Sequence, residues 1–142
     1  MKTKHSILLA LLVSLAWHAA AHAAGYKIIV NSANGTSPVA KKELSQLFMK
    51  KTAKWSDGTA VVAVDQTEKS SVRERFTQEV HGKSVAAVKS YWQQQIFSGR
   101  DVPPVEKSSD AQVVAFVKQN AGAIGYVGDS ADTAGVRVVG VQ

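Results

Sequence analysis

Short apolar runs alternate with helical patterns along the sequence, and this alternation limits the fold more than any other feature. Four runs are typical of strands, at residues 26–30, 60–64, 123–127 and 136–141. The second run is apolar at every position, as in a strand that is covered on both faces. Right-handed crossovers between such strands place helices on both sides of the sheet. The sequence therefore predicts a three-layer α/β domain with a mainly parallel sheet and helices on both faces.

Four segments between and beside these runs carry apolar residues at helical spacing. We expect helices opening at Pro38, from Ser71 to about Gly82, from Ser84 to about Ile96, and from Ser109 to about Asn120. Ser71 with Glu74, and Ser109 with Gln112, have the spacing of capping boxes. Gly122 stands just beyond the last helix, where a C-cap glycine is expected.

The first 23 residues have the build of a secretory signal peptide. A basic start is followed by an apolar stretch from Ser6 to Trp17, and Ala21-His22-Ala23 offers a cleavage site. We therefore expect export to the periplasm and one domain at residues 24–142. Cleavage after Ala23 leaves 119 residues with a net charge of +4. The rest of the chain has no apolar run near 18 residues, so no membrane insertion is expected after cleavage.

Composition excludes several classes of site. The chain has no cysteine, and His81 is the one histidine beyond the predicted leader. A His/Cys metal cluster and a thiol nucleophile are therefore excluded, and we expect neither a metal nor a cofactor. The modest positive charge shows no concentrated basic stripe, so a nucleic-acid partner is not expected.

The segment at residues 65–73, after the second predicted strand, is the strongest candidate for a ligand site. It joins the carboxyl end of a strand to a helix N-terminus, where ligands gather in open α/β sheets. The backbone N–H groups of Ser71, Val72 and Arg73 would point outward, and the helix dipole favours an anion there. The hydroxyls of Ser70 and Ser71 and the Arg73 guanidinium would add hydrogen bonds.

A purely structural interpretation of the same segment is also open. Ser71 would cap the helix, while Lys69 and Arg73 would lie in solvent. Asp65 and Glu68 are two carboxylates close in sequence, yet nothing indicates the paired environment that acid–base chemistry needs, so a solvated loop is expected.

Other polar and aromatic residues have structural interpretations first. His81 precedes Gly82 at a helix end, where a cation suits the helix dipole. Four aromatic residues that could stack on a ligand have helical or strand spacing, which favours core positions; they are Trp55, Tyr91, Trp92 and Tyr126.

Six short segments occur in an order that resembles one known family. They are Ile29-Val30-Asn31, Glu43-Leu44-x-x-Leu47-Phe48-x-Lys50, Trp55-Ser56-Asp57-Gly58, Ser70-Ser71-Val72-Arg73-x-x-Phe76, Ser109-Asp110-Ala111-x-Val113 and Gly122-Ala123-Ile124-Gly125-Tyr126-Val127. Together they resemble the second lobe of the phosphate-type periplasmic substrate-binding proteins of ABC transporters. In that family two α/β lobes of the type II periplasmic-binding-protein fold hold an oxyanion between them. The resemblance implies a single lobe of that fold here.

The resemblance also implies a ligand set made of Gln66, Ser70, Ser71, Val72 and Arg73. The family's anion loop reads Arg-x-x-x-Ser-Gly-Thr-Arg, and here Gln66 replaces the first arginine and Val72 replaces the threonine. Each hydrogen bond to a charged group is worth roughly 1.5–3 kcal/mol. With those bonds and the opposing lobe missing, we expect at most weak binding of phosphate or another small oxyanion.

The sequence thus predicts an exported, non-enzymatic, solute-binding-protein-like domain. Its partners would be a small oxyanion and an ABC permease or other envelope protein, with a homo-oligomer as one way to supply the missing wall. The alternative is an envelope protein–protein interaction module that kept the fold but lost the transport ligand, and it would expose an apolar patch. A hydrolase using Asp65, Glu68 or His81 is a third hypothesis, and it lacks a convergent set of catalytic groups.

Overall fold

A five-stranded sheet with helices on both faces forms the framework of the protein. The computed structural model describes residues 25–36 and 38–142, and the predicted leader, residues 1–23, lies outside them. In chain order the elements are β1 (Tyr26–Asn31), α1 (Lys41–Phe48), β2 (Val62–Gln66), α2 (Ser71–Phe76), a π-helical turn (Thr77–His81), α3 (Val85–Phe97), β3 (Val105–Lys107), α4 (Asp110–Gln119), β4 (Ala123–Gly128) and β5 (Val136–Val139). None of the helices in these described ranges is long and apolar enough to cross a membrane.

The sheet is mixed in direction. The strands lie in the order β3-β2-β4-β1-β5. β2 is parallel to β3 and to β4, whereas β1 is antiparallel to both β4 and β5. The prediction of a mainly parallel sheet is therefore wrong. An apolar strand is buried whichever way it runs, so its composition indicates burial and carries no information about direction.

The predicted three layers are confirmed, because side chains of β1 pack against helices on both faces of the sheet. Ile28 packs in a cluster with Leu44 of α1 and Phe76 of α2. Its neighbour Ile29 points to the opposite face and packs with Val113 of α4. Successive side chains of a strand alternate between faces, so one strand serves two cores. Three of the four aromatics predicted in the core are buried, and Tyr91 is half-buried.

Two boundary predictions near the candidate site are wrong. The strand predicted at residues 60–64 runs from Val62 to Gln66, so Asp65 and Gln66 belong to β2. β3 (Val105–Lys107) is not among the four predicted strands, since Pro103 and Pro104 stand directly before it and prolines are typical of breaks between elements. The short strand begins directly after them and pairs with β2 along one edge only, a position in which a preceding proline costs no ladder hydrogen bond.

The predicted N-cap of α2, Ser71, and the predicted C-cap glycine of α4, Gly122, are both wrong. Ser70, one residue before the predicted Ser71, is the N-cap of α2, and its side chain accepts a hydrogen bond from the Arg73 N–H. Asn120 ends α4 in an extended conformation. Gly122 instead allows the backbone of Ala60 to pass close to it, because a Cβ at this position would lie 1.8 Å from the Ala60 carbonyl oxygen.

We predict that Gly125→Ala destabilises the protein by about 1–3 kcal/mol through overpacking. A Cβ at this position in β4 would lie 2.8 Å from a methyl carbon of Val64 and 2.8 Å from one of Val113. Urea unfolding followed by tryptophan fluorescence measures the change. Gly35→Ala is the matched control, since a Cβ at Gly35 meets no atom within 4 Å. Equal stabilities of the two variants would contradict the prediction.

Candidate functional site

The candidate site lies where β2, β3 and β4 end, which we call the carboxyl edge of the sheet. α2 and α4 both begin there, at Ser71 and Asp110. Gly128, the last residue of β4, lies between the two helices: a Cβ on it would be 3.2 Å from Asp110 Oδ2 and 3.6 Å from Val72 Cγ2. The fold therefore brings two helix N-termini to one place, as the sequence predicts for one of them.

Ser70 joins the start of α2 to β2. Its Oγ accepts a hydrogen bond from the Arg73 N–H at 3.2 Å and donates one to Gln66 Oε1 at 2.6 Å. Ser71 is exposed. Either of the two consecutive serines could cap α2 by its residue type. Ser70 is the cap in the structure, and it is also the serine that contacts Gln66.

Gln66 is a buried connector at the end of β2, with only 4% of its surface exposed. Its side-chain Nε2 donates to Asp110 Oδ1 at 2.9 Å and to the Tyr126 carbonyl oxygen at 3.0 Å. Together with the bond from Ser70, these contacts use both ends of the amide. Gln66 therefore ties β2 to β4, α2 and α4.

Arg73 is buried with only 4% of its surface exposed, so the prediction that it lies in solvent is wrong. Its Nη1 donates to the Gln66 carbonyl oxygen and to Glu106 Oε1, both at 2.6 Å. Its Nη2 lies 3.5 Å from Asp65 Oδ2. Two carboxylates thus face one guanidinium, while its buried Nε has no hydrogen-bond partner among the described residues.

Asp65 is buried beside this guanidinium, which contradicts the prediction of a solvated carboxylate. Burial raises the pKa of Asp65, and the Arg73 charge and the hydrogen bond from the Tyr126 hydroxyl oppose that rise. Burial, followed by the charge of Asp65, raises the pKa of Tyr126. The tyrosine hydroxyl therefore acts as a donor to the carboxylate.

Glu68 is exposed, as predicted, and its carboxylate pairs with Lys89 Nζ of α3 at 2.9 Å. An open cleft of about 420 Å³ lies between this pair, Arg73, and the α3 and β3 segments. Trp92 and Ile96 form its apolar wall. Both cations and carboxylates line the cleft, so it does not present the concentrated positive charge of a strong anion site.

His81 is the last residue of the π-helical turn and faces α1. Its Nδ1 is 2.8 Å from Ser45 Oγ, and its ring packs edge-on against Phe76. Burial, assisted by the charges of Arg73 and Lys83, lowers the pKa of His81 to about 4. The prediction of a helix-end cation is therefore wrong, because the imidazole is neutral at pH 7.

The candidate acid–base groups each have separate partners. Asp65 is paired with Arg73, Glu68 with Lys89, and His81 with Ser45. In the described ranges, no group of three or more histidine, cysteine, aspartate or glutamate side chains is placed to hold a metal ion.

Sequence reasoning missed Glu106 and Asp110 as site residues. Glu106 lies on the unexpected strand β3, so its contact with Arg73 depends on a pairing that periodicity does not reveal. Asp110 had a weak signal, since it directly follows the predicted cap Ser109. Its contact with Gln66 joins residues 44 positions apart.

We predict that Arg73→Met lowers the free energy of unfolding by about 3–5 kcal/mol, because it leaves the buried Asp65 carboxylate without its cation. The deficit relative to wild type should shrink as the pH falls, since protonation of Asp65 removes the uncompensated charge. Arg75→Met is the matched control: Arg75 pairs with Glu79 on the surface, with 43% of its side chain exposed, and should cost less than about 1 kcal/mol. Equal decreases in the free energy of unfolding for Arg73→Met and Arg75→Met, measured by urea unfolding, would contradict this interpretation.

We predict that His81 makes the protein less stable in mild acid. Its pKa of about 4 in the folded protein lies below the value of 6.5 expected in the unfolded chain. The unfolded state therefore binds more protons between these pH values, and stability present above pH 6.5 is lost as the pH falls toward 4. At pH 4.5 the loss should be about 2 kcal/mol relative to pH 7. In His81→Gln the decrease should be smaller by that amount; an unchanged decrease would contradict the assignment.

Three solved structures with the same fold are described as phosphate-transport or phosphate-binding proteins. An ABC-type phosphate transport receptor from Vibrio cholerae superposes with a TM-score of 0.66 at 16% sequence identity, over 83% of this chain and 46% of the receptor. A Clostridium perfringens protein solved with bound phosphate gives 0.65 at 20% identity, over 83% of this chain and 45% of that one. A possible phosphate binding protein from Planctomyces limnophilus gives 0.63 at 19% identity, over 84% and 42%.

These likenesses confirm the expected fold. At such identities they show the fold alone. The chain spans less than half the length of these solved structures. No curated protein matches the sequence.

A family-level match covers most of the chain. Residues 10–129 match the family described as "Protein of unknown function (DUF995)". The chain therefore belongs to that family.

Proposed function

We propose that the protein is an exported, non-enzymatic, solute-binding-protein-like domain that binds phosphate or another small oxyanion weakly at the start of α2. Residues 1–23 would direct export to the periplasm, and residues 24–142 would form the binding domain. The fold that it shares with a phosphate transport receptor and with a protein holding phosphate supports this proposal.

The observation that carries the proposal is a pair of free backbone donors. Among the described residues, the N–H groups of Ser71 and Val72 have no acceptor. Ser71 is exposed, and both groups belong to the first turn of α2. Unpaired first-turn N–H groups together with the positive end of the helix dipole attract anions.

The charges around this pair explain why the binding would be weak. Arg73 already faces Asp65 and Glu106, so its charge is largely balanced within the protein. Gln66 uses its amide inside the fold. An anion would gain two backbone hydrogen bonds and a dipole contribution of about 0.3–1 kcal/mol. We therefore expect a dissociation constant in the millimolar range, which corresponds to about 4 kcal/mol.

Anion titration of the mature protein tests the proposal. Phosphate should shift the NMR amide signals of Ser71 and Val72 in a saturable way, whereas chloride at the same ionic strength should not. Ser71→Pro should weaken the binding by about tenfold, because it removes one donor of a charge-assisted bond. Proline fits here, since it is tolerated at the first helical position and Ser70 has the extended backbone that precedes proline (φ −72°, ψ 124°).

Ser71→Ala is the matched control for that variant. It removes the hydroxyl but keeps the backbone N–H, so it should bind phosphate as the wild type does. An absence of saturable shifts at Ser71 and Val72 in the wild type would refute the proposal. Loss of binding in Ser71→Ala alone would assign the contact to the hydroxyl and refute the role of the amide.

An envelope interaction module is the second candidate, and an exposed apolar segment favours it. Phe97 at the end of α3 is 95% exposed, and Ile96, Val102 and Val105 are 52%, 57% and 48% exposed. Large apolar side chains that are exposed close together along the chain favour a contact site. A permease, another envelope protein or a second copy of the chain would be the partner.

Site-specific photocrosslinking in cells distinguishes this second candidate. A crosslinking amino acid at position 97 should give one dominant adduct of discrete mass. The matched control places the same amino acid at Asp132, which is exposed but outside the apolar segment. Identical adduct patterns at both positions, or none at position 97, would contradict an interaction role for this segment.

A further inference from the structure

A continuous chain of hydrogen bonds crosses the carboxyl edge and ends on a carboxylate. Ser70 Oγ donates to Gln66 Oε1, and Gln66 Nε2 donates to Asp110 Oδ1. The Gly128 N–H donates to the same Asp110 oxygen at 3.2 Å. One carboxylate oxygen therefore collects a side-chain donor from β2 and a backbone donor from β4, between the starts of α2 and α4.

We propose that Asp110 is a specificity-determining residue of this edge: its carboxylate occupies the place of a bound oxyanion and thereby limits the binding of anions from solution. The inference rests on the proposed function and explains its weakness. Two of the five predicted ligand residues, Gln66 and Ser70, belong to the chain of bonds that ends on Asp110.

Helix capping does not account for these contacts. Ser109 already caps α4, with its Oγ accepting the Gln112 N–H at 3.2 Å. The hydrogen bonds of the Asp110 carboxylate go to Gln66 and Gly128, on β2 and β4, and not to the first-turn amides of its own ten-residue helix. A residue that only capped α4 would direct its oxygens toward that helix.

The charge of Asp110 has a second effect on a diffusible anion. A second negative charge close to this carboxylate is repelled by it, and the repulsion is stronger near a protein surface than in bulk water. An incoming oxyanion would have to displace the carboxylate from its donors or bind beside it. Either way, the Gln66 amide and the Gly128 N–H become available to a ligand only when Asp110 is removed or moved.

Neutralising Asp110 tests this inference. Asp110→Ala should free both donors and tighten phosphate binding by about tenfold or more, with new saturable shifts of the Gln66 side-chain amide and the Gly128 N–H. Asp110→Asn keeps the size of the side chain and protects the test against misfolding, since it removes the charge with little change in packing. It should also tighten phosphate binding, by less than Asp110→Ala.

Asp132→Asn is the matched control, because it makes the same change of net charge at an exposed position outside the edge. If folded Asp110 variants bind phosphate no more tightly than wild type, or if Asp132→Asn gives the same gain, the inference is overturned. This readout is separate from that of the proposed function. The proposed function depends on shifts at Ser71 and Val72 in the wild type, whereas the role of Asp110 depends on a gain at Gln66 and Gly128 in the variants.

Discussion

The buried ion pair between Arg73 and Asp65 is the contact on which the arrangement of the carboxyl edge depends. Asp65 ends up inside the protein because β2 extends two residues further than its apolar run. A buried carboxylate needs a cation and hydrogen bonds, and Arg73 and Tyr126 supply them. Because Arg73 also contacts Glu106, the same guanidinium fastens α2 to two neighbouring strands.

This arrangement leaves the segment at residues 66–73, which resembles an anion loop, with few groups that are free to bind an anion. The groups at the end of β2 that were predicted to bind a ligand are mostly directed at one another. Arg73 binds carboxylates of its own chain, and the Gln66 amide binds Asp110. Hydrogen bonds that these groups could offer to a ligand are already made within the protein. Few donors are therefore left at this edge for a ligand, because a polar network that is satisfied internally offers little to a molecule from solution.

The layers and most helices could be predicted because they depend on local patterns. Apolar spacing places Leu44 and Val113 in the core, and a serine before an apolar run marks the start of α4. Strand direction, the existence of β3 and the partners of Arg73 could not be predicted. They depend on contacts such as Arg73 with Glu106 and Gln66 with Asp110, which join residues 33 and 44 positions apart. The burial of Arg73 in particular is unexpected from the residue type, since arginine is mostly exposed unless it is paired.

The antiparallel position of β1 has a consequence for how the chain must acquire its structure. β1 lies between β4 and β5 in the sheet. Tyr26 of β1 pairs with Gly128 of β4, and these two residues are about 100 positions apart in the sequence. A chain synthesised from its N-terminus therefore holds β1, whose Ile28, Ile29 and Val30 are buried in the folded protein, without its partner until β4 at Ala123–Gly128 is available. Contacts of such long range slow folding, and they leave the early chain extended and exposed for longer. The topology itself thus favours folding after β4 and β5 have been synthesised.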